Sequence, residues 1–205
     1  MLHLFAPLLA GRPRPPALMM RRLRRRHEAL AARTTDRLFL AVVPDEATAD
    51  RIARAARHLR TSHGLTGKPL RPEHFQVTLC RIESGLGLAP RLMESVQACV
   101  AGVAMPPFRV SFDRAGSFRN GALVLRGADG TIGLDILQQR LSDALDGAPR
   151  KARPFTPHVT LLRDGQCVPE QRIEPIEWTV GEVVLLHSLP GHAAPRRLAR
   201  WSLTG

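Results

Sequence analysis

The sequence has few aromatic residues, few cysteines and no long apolar run. Phenylalanine and tryptophan together make up 4% of its 205 residues, and tyrosine is absent. Because a bound single strand commonly stacks its bases on aromatic side chains, this composition disfavours a long single-stranded nucleic-acid groove. No apolar run approaches the ~20 residues that span a bilayer, so we expect no membrane partner.

The three cysteines, Cys80, Cys99 and Cys167, are too few and too far apart for a disulfide framework or a cysteine-based zinc site. This pattern favours a reducing compartment, and we expect a cytoplasmic protein. With 44% hydrophobic residues, the chain is long enough to bury a substantial core. We expect a monomer with one two-lobed domain over residues 36–205.

Positive charge is concentrated in residues 1–35, which are rich in arginine and proline. This segment holds eight arginines against one acid, Glu28, and so contributes +7 of the net charge of +12. We interpret it as a disordered arm, or as an over-long start with Met19 or Met20 as the true initiator. Two further interpretations stay open: a mitochondrial presequence, and an arm that adds non-specific RNA affinity. The remaining +5 suits a polyanionic ligand without requiring one.

One sequence pattern occurs twice. Residues 71–81 (RPEHFQVTLCR) match residues 153–163 (RPFTPHVTLLR) at six positions, with a constant offset of 82. A repeat of this kind indicates two similar units packed so that equivalent elements face each other. In this register, Gln76 lies opposite His158.

Both copies are predicted to be strands whose polar residues share one face. Side chains two residues apart point to the same side of a strand, so His158 and Thr160 project together. The same spacing groups His74, Gln76 and Thr78. Two such strands across a cleft would present an imidazole and two hydroxyls, which can hold the oxygens of an anion while a proton moves. The repeat therefore indicates a phosphoester site.

The apolar periodicities predict seven strands and three helices. The predicted strands lie near residues 37–43, 74–80, 108–112, 122–125, 153–163, 178–189 and 197–203. Helices are predicted to begin at Asp45, at Pro90 and after Thr131, and Gly147 is placed to end the last one. Asn120-Gly121 predicts a hairpin, and Pro190-Gly191 a later turn. Hairpins mixed with helices indicate an α+β fold with mostly antiparallel sheets.

The H-x-T pattern, present in the second copy and altered in the first, resembles that of the two-histidine (2H) phosphoesterase superfamily. The closest likeness is to the bacterial RNA 2′,3′-cyclic phosphodiesterases, also called the 2′-5′ RNA ligase family. It runs from about Arg37 to Leu203 and is most specific at residues 155–161 (FTPHVTL). The resemblance implies two lobes related by a pseudo-two-fold axis, with antiparallel sheets lining a central cleft and helices outside.

The resemblance also implies an activity. Family members open a 2′,3′-cyclic phosphate to a 2′-phosphate without a metal or cofactor, so the implied partner is an RNA end or a small cyclic nucleotide. In the family, one histidine activates water, the other protonates the leaving 3′-oxygen, and the threonines bind phosphate oxygens. Carried over by position, His158, Thr160 and Thr78 match. Arg163 matches an arginine that the family often has near the strand end, which makes it a candidate phosphate ligand.

Arg81 and Arg163 lie an odd number of residues from the threonines. In a straight strand, such residues point to the opposite side, away from the cleft. Bending at the strand end could still redirect Arg163 towards a phosphate.

Gln76 stands where the first family histidine is expected, and an amide cannot hold or release a proton near pH 7. Losing one acid–base partner typically removes ~10²–10⁴-fold in rate. His74 is the candidate substitute, although two residues along a strand place it roughly 6.6 Å away. Two functions stay open: a cyclic phosphodiesterase of reduced activity, or an inactive 2H-fold protein that binds RNA or nucleotides.

Overall fold

Eight β-strands in the described part of the chain form two antiparallel sheets of four strands each. The computed structural model describes residues 37–82, 90–147, 155–188 and 194–205. The strands are β1 (Arg37–Val42), β2 (Val77–Ile82), β3 (Phe108–Ser117), β4 (Ala122–Arg126), β5 (His158–Arg163), β6 (Gln171–Val180), β7 (Glu182–Ser188) and β8 (Arg196–Ser202). The strand order is β2-β1-β7-β8 in the first sheet and β5-β4-β3-β6 in the second.

The two copies of the repeated pattern form equivalent edge strands. β2 is one edge of the first sheet, β5 is one edge of the second, and the two strands lie beside each other. Each pairs with an antiparallel neighbour inside its own sheet, β1 for β2 and β4 for β5. The predicted arrangement of two related halves around a central cleft is therefore confirmed.

The described residues form three α-helices, and local sequence signals mark the start of the first and the end of the last. They are α1 (Glu46–Ser62), α2 (Pro90–Ala101) and α3 (Ile132–Asp146). Asp45 caps α1, since its carboxylate accepts hydrogen bonds from the Thr48 N–H (2.8 Å) and the Thr48 hydroxyl (3.1 Å). Gly147 follows α3 with a φ of 73°, a left-handed conformation that glycine adopts without a steric penalty. Among the described residues, no helix has both the length and the apolar content needed to cross a membrane.

The helices cover one face of each sheet and leave the other face to the cleft. α1 packs against β5 and β6, and α3 packs against β2 and β3. Along β1, Leu38 and Leu40 belong to the core beneath the helices, while Phe39 and Ala41 lie on the opposite side. This alternation identifies which residues of each strand face the cleft.

β6 corrects the predicted strand count. The pattern predicts residues 178–189 as one strand, whereas the structure divides that stretch at Gly181 and begins β6 at Gln171. Pro175 hides the strand in the sequence, because proline lacks the N–H that a sheet interior requires. β6 is an edge strand, where a missing donor is tolerated, and its register against β3 is irregular next to this proline.

The hairpin predicted at Asn120-Gly121 is confirmed. It joins β3 to β4, Gly121 has a φ of 78°, and the Phe118 N–H donates to the Ala122 carbonyl oxygen at 2.8 Å. Other predicted features lie outside the described residues: the arm at 1–35, the turn at Pro190-Gly191, and the pair Arg153-Pro154 that leads into the second copy.

Candidate active site

His158 is the first residue of β5 and is half-buried. Its ring Nδ1 lies 2.7 Å from the carbonyl oxygen of Thr156. A carbonyl oxygen can only accept a hydrogen bond, so Nδ1 carries a proton and donates it. In the neutral imidazole, Nε2 therefore has the lone pair and can accept a proton. The backbone just before β5 thus fixes the tautomer of the ring.

An aromatic ring and a guanidinium flank His158. Phe118, in the hairpin between β3 and β4, meets the imidazole edge to face, with ring centroids 5.0 Å apart and planes at 75°. The Cζ of Arg126 lies 5.6 Å from the centroid of the Phe118 ring. Arg126 is also the cross-strand partner of His158, and directly opposite residues share a face of the sheet. These contacts restrict the imidazole to one place on the cleft face.

Gln76 immediately precedes β2 and has the place that His158 has at β5. Its Nε2 donates a hydrogen bond to Thr78 Oγ1 at 3.4 Å, so the two side chains lie on the same side of the chain. Thr78 pairs with a residue of β1, and Thr160 pairs with a residue of β4, in the same manner. The two threonines therefore occupy equivalent positions in the two halves.

The predicted placement of His74 on the strand face is wrong. His74 ends a short 3-10 turn, Pro72–His74, and β2 begins only at Val77. Pro72 presets a helical φ at the first position of the turn, and the Phe75 N–H closes it by donating to the Pro72 carbonyl oxygen at 3.1 Å. His74 is half-buried in this turn. Its role as a proton donor stays a prediction.

β2 contains one more residue than the stretch of β1 with which it pairs. Leu40 and Ala41 are neighbours in β1, but their partners are Cys80 and Thr78, so Leu79 is skipped. Such a β-bulge puts two residues opposite one and reverses the alternation of sides beyond it.

β5 has the same irregularity at the equivalent position. Leu123 and Val124 are neighbours in β4, but their partners are Leu162 and Thr160, so Leu161 is skipped. The two skipped leucines differ in number by 82, which equals the offset of the sequence repeat. The repeat therefore extends to the backbone geometry of the two strands.

The two bulges place Arg81 and Arg163 on the same face as the threonines. Arg81 pairs with Phe39 on the cleft face of β1, and Arg163 pairs with Ala122, two residues from the partner of Thr160. Both arginines are exposed. The expectation for a straight strand, which would point both arginines away from the cleft, does not apply here, because each bulge interrupts the regular alternation that it assumes.

Glu170 joins two arginines of the second sheet. Its Oε1 lies 3.2 Å from Arg114 Nη1, and its Oε2 forms an ion pair with Arg126 Nη2. Arg114 and Arg126 are themselves cross-strand partners. Sequence reasoning misses these three residues and Phe118, because their proximity to His158 depends on the register between strands far apart in the chain. No local pattern marks that register.

The side chains around the two edge strands are mostly hydrogen-bond donors. They are an imidazole, an amide, two hydroxyls and two guanidiniums, from His158, Gln76, Thr78, Thr160, Arg81 and Arg163. Such groups suit the oxygen atoms of a phosphate ester. Within the four described ranges, no three His, Cys, Asp or Glu side chains are grouped so as to hold a metal ion.

Asp164 follows β5 and ties the loop after α1 to this strand. Its Oδ2 accepts hydrogen bonds from the backbone N–H groups of Thr66 (2.8 Å) and Gly67 (2.6 Å). Further along the same loop, the Leu70 N–H donates to the carbonyl oxygen of the bulged residue Leu161 at 2.7 Å. The loop therefore supports the part of β5 that redirects Arg163.

Asp164→Asn is expected to lower thermal stability at neutral pH. Backbone N–H groups, that of Gln166 first and then that of Gly67, donate to the carboxylate and hold the pKa of Asp164 below its ordinary value. A lowered pKa in the folded protein adds stability above the unfolded-state pKa of about 3.9, and this stability is lost as the pH falls through the folded-state pKa. Thermal unfolding of both proteins, followed from neutral to acidic pH, should show a Tm difference that closes below about pH 3.9.

Asp129→Asn is the matched control, because Asp129 is exposed in the loop between β4 and α3. Its Tm should equal that of the unchanged protein throughout the pH range. A Tm difference for Asp164→Asn that stays constant with pH would contradict the role of the ionised carboxylate.

The structure resembles solved phosphoesterase structures over most of its length. A crystal structure of a phosphoesterase is 26% identical in sequence, with a TM-score of 0.65, and the match covers 83% of this chain and 99% of that chain. Escherichia coli LigT, crystallised with 3′-AMP, is 27% identical with a TM-score of 0.61 and the same coverage. The protein TT0787 of Thermus thermophilus shares the fold at 24% identity, with a TM-score of 0.65 and coverage of 82% and 98%. No curated protein sequence matches the chain.

The sequence itself matches the family model of the 2′-5′ RNA ligase superfamily over residues 44–191. This range includes both copies of the repeated pattern and therefore the strands β2 and β5. It also covers well over half of the chain. The chain thus belongs to the 2′-5′ RNA ligase superfamily of 2H phosphoesterases.

Proposed function

We propose that this protein is an RNA 2′,3′-cyclic phosphodiesterase. It hydrolyses the cyclic phosphate of an RNA end or a small cyclic nucleotide to a 2′-phosphate, without a metal or cofactor. The observation that carries this proposal is that β2 and β5 contain matching bulges. Each bulge places a threonine and an arginine on one face of its strand, next to Gln76 at β2 and next to His158 at β5. The crystal structure of Escherichia coli LigT with 3′-AMP supports a nucleotide as the ligand of the cleft.

In the proposed reaction, Nε2 of His158 takes a proton from a water molecule. The water oxygen bonds to phosphorus, and the bond between phosphorus and O3′ breaks. O3′ then gains a proton, so that one water molecule is consumed and a 2′-phosphate and a 3′-hydroxyl are formed. The Thr156 carbonyl supports this step, because Nδ1–H remains hydrogen-bonded to it while Nε2 gains its proton.

The donors on the two strands stabilise the charge that develops on the phosphate. Thr78 and Thr160 each supply a hydroxyl, and Arg81 and Arg163 each supply a guanidinium from the same face. Such donors act most strongly when the fold holds them in place before reaction, and removing one typically costs about 10²–10³ in rate. The bulges supply this fixed arrangement.

Gln76 limits the rate of the proposed reaction. Its amide N–H can donate a hydrogen bond to O3′ but cannot transfer the proton, so the proton comes from solvent or from His74. We therefore expect turnover about 10²–10⁴-fold below that of a site with two histidines. His74→Ala separates the two sources, because loss of the residual turnover identifies His74 and unchanged turnover identifies solvent.

A catalytically inactive protein that binds RNA ends or nucleotides is the second candidate. Gln76 favours it, since a site with one imidazole can bind a phosphate while lacking the second proton-transfer group. In that case, the threonines and arginines hold the cyclic phosphate without opening it.

A short RNA that ends in a 2′,3′-cyclic phosphate distinguishes the two candidates. The RNA is incubated with the protein in the presence of a chelator, and the 2′- and 3′-phosphate products are resolved. We expect slow formation of the 2′-phosphate alone. Binding of the cyclic end without turnover would favour the inactive protein, and the absence of both would exclude both candidates.

A further inference from the structure

A row of three arginines leads away from His158 across the cleft face of the second sheet. Arg126 is the cross-strand partner of His158, Arg114 is the partner of Arg126, and Arg172 is the partner of Arg114. Directly opposite residues point to the same face, so the four side chains form one line across β5, β4, β3 and β6. Neighbouring strands lie about 4.8 Å apart, which makes the line roughly 14 Å long.

The row has an excess of positive charge. Glu170 forms ion pairs with Arg114 and Arg126, so these three residues and Arg172 together have a net charge of +2. In the described part of the chain, Arg172 forms no ion pair, and its side chain is exposed on the edge strand β6. An anion can therefore approach the row from the cleft.

The inner strands of the first sheet lack such a row. On the cleft face of β1 and β7, four apolar residues pack together: Phe39, Ala41, Val184 and Leu186. The inner strands of the second sheet present Arg126 and Arg114 at this face instead. The inner strands of the two sheets therefore differ in charge at this face, although the edge strand β8 places Arg197 and Arg200 opposite Leu186 and Val184 of the first sheet.

We propose that this arginine row binds a second phosphate of the substrate, the one on the 5′-oxygen of the terminal ribose. The inference rests on the proposed function, which places the reacting phosphate between His158 and the two threonines. One ribose separates the two phosphates, a step comparable to one or two strand spacings, about 5 to 10 Å. The second phosphate then reaches Arg126 or Arg114. Guanidinium groups suit it, because their planar donors can form two parallel hydrogen bonds to phosphate oxygens.

The substrate class follows from this placement. It is a nucleotide with phosphate on both sides of its ribose, supplied either by an RNA strand or by a free 5′-phosphorylated cyclic nucleotide. A cyclic nucleoside phosphate with a free 5′-hydroxyl leaves the row empty and binds more weakly.

Binding of product-like ligands tests the inference without any need for turnover. Calorimetry compares adenosine 2′-monophosphate, adenosine 2′,5′-bisphosphate and a diadenosine dinucleotide that ends in a 2′-phosphate. We expect the last two, or the dinucleotide alone, to bind about tenfold more tightly than the monophosphate, which corresponds to one well-formed charged contact. Preference for the dinucleotide alone would identify an RNA strand as the source, and preference for both would admit a free nucleotide. Equal binding of all three would overturn the inference.

Two arginine substitutions assign the preference to the row. Arg172→Gln and Arg114→Gln should each bring the ratio of dissociation constants towards one. Arg172 is exposed on an edge strand, so its substitution leaves the packing of the sheet intact. Arg54→Gln, on the exposed face of α1, is the charge-matched control and should leave the ratio unchanged. A ratio that survives both substitutions in the row would contradict the assignment.

Glu170→Gln tests the same row, and its expected effect on the preference for a second phosphate is opposite to that of the arginine substitutions. Removing this carboxylate raises the net charge of the row, so the preference for a second phosphate should increase. A purely structural role for the arginines would produce no such increase. This binding measurement does not depend on catalysis. A preference for a second phosphate without turnover of a cyclic RNA end would reject the phosphodiesterase and keep the second-phosphate site. Turnover without that preference would keep the phosphodiesterase and reject the second-phosphate site.

Discussion

Gln76→His is expected to raise the rate of 2′-phosphate formation from a cyclic RNA end by about 10²–10⁴-fold. Gln76 lies on the same side of the chain as Thr78, and it precedes β2 at the point where His158 begins β5. An imidazole there can hold a proton for the leaving 3′-oxygen, which the amide cannot. Initial rates for both proteins, measured on the same RNA, give the size of the effect.

The pH dependence gives a second measurement of the same change. With two titrating imidazoles, one acting as base and one as acid, kcat/KM should follow a bell-shaped curve. With Gln76 in place and solvent as the source of the second proton, the curve should lack the limb that reports the acid. Gln166→His is the matched control, because Gln166 is exposed in the loop after β5, and it should change neither the rate nor the curve. Equal rates for Gln76→His and the unchanged protein would mean that the first half of the cleft lacks other groups that the reaction needs.

The fold and the grouping of His158 and Gln76 with their threonines are predictable because they follow from local patterns that occur twice. The spacing of polar residues in each copy places a threonine beside His158 and beside Gln76, and the structure keeps these pairs together. The caps at Asp45 and Gly147 likewise act within one turn of chain. Interactions of this range can be inferred from the sequence without knowledge of the tertiary structure.

The face of the sheet on which Arg81 and Arg163 lie cannot be predicted in this way, because in each strand it depends on one residue that the pairing with the neighbouring strand skips. The sequence contains a weak sign of the bulges, since Leu79-Cys80 and Leu161-Leu162 are consecutive apolar pairs inside strands that otherwise alternate. A pair of this kind is also compatible with a regular strand buried on both sides. Only the register against β1 and β4 separates the two possibilities.

The arginine row is harder to predict from the sequence than the faces of Arg81 and Arg163. Arg126, Arg114 and Arg172 come from three different strands, and their alignment depends on two separate pairings, one of them next to a register shift. β6 itself is hidden in the sequence by Pro175. Long-range pairing thus determines where these arginines lie, while the short-range pattern groups His158 and Gln76 with their threonines.

His158→Ala is expected to reduce turnover by at least about 10²–10⁴-fold, and to do so in the Gln76→His background as well. His58→Ala, on the exposed face of α1, is the matched control and should leave turnover unchanged. Thermal unfolding of the three proteins checks that the fold is retained. The comparison uses the RNA assay proposed above.

The expected effect is large because His158 is the only histidine on β2 and β5, and because its contacts leave one ring nitrogen able to accept a proton. Its Nδ1–H is bound to the Thr156 carbonyl, its ring is contacted by Phe118, and its Nε2 is left to accept a proton. The threonines and arginines remain in the alanine variant, so binding of a 2′-phosphate product should persist while turnover is lost. That result would assign proton transfer to the imidazole and phosphate binding to the other donors. Turnover that persists without the imidazole would instead mean that the reaction takes place at a site other than these strands.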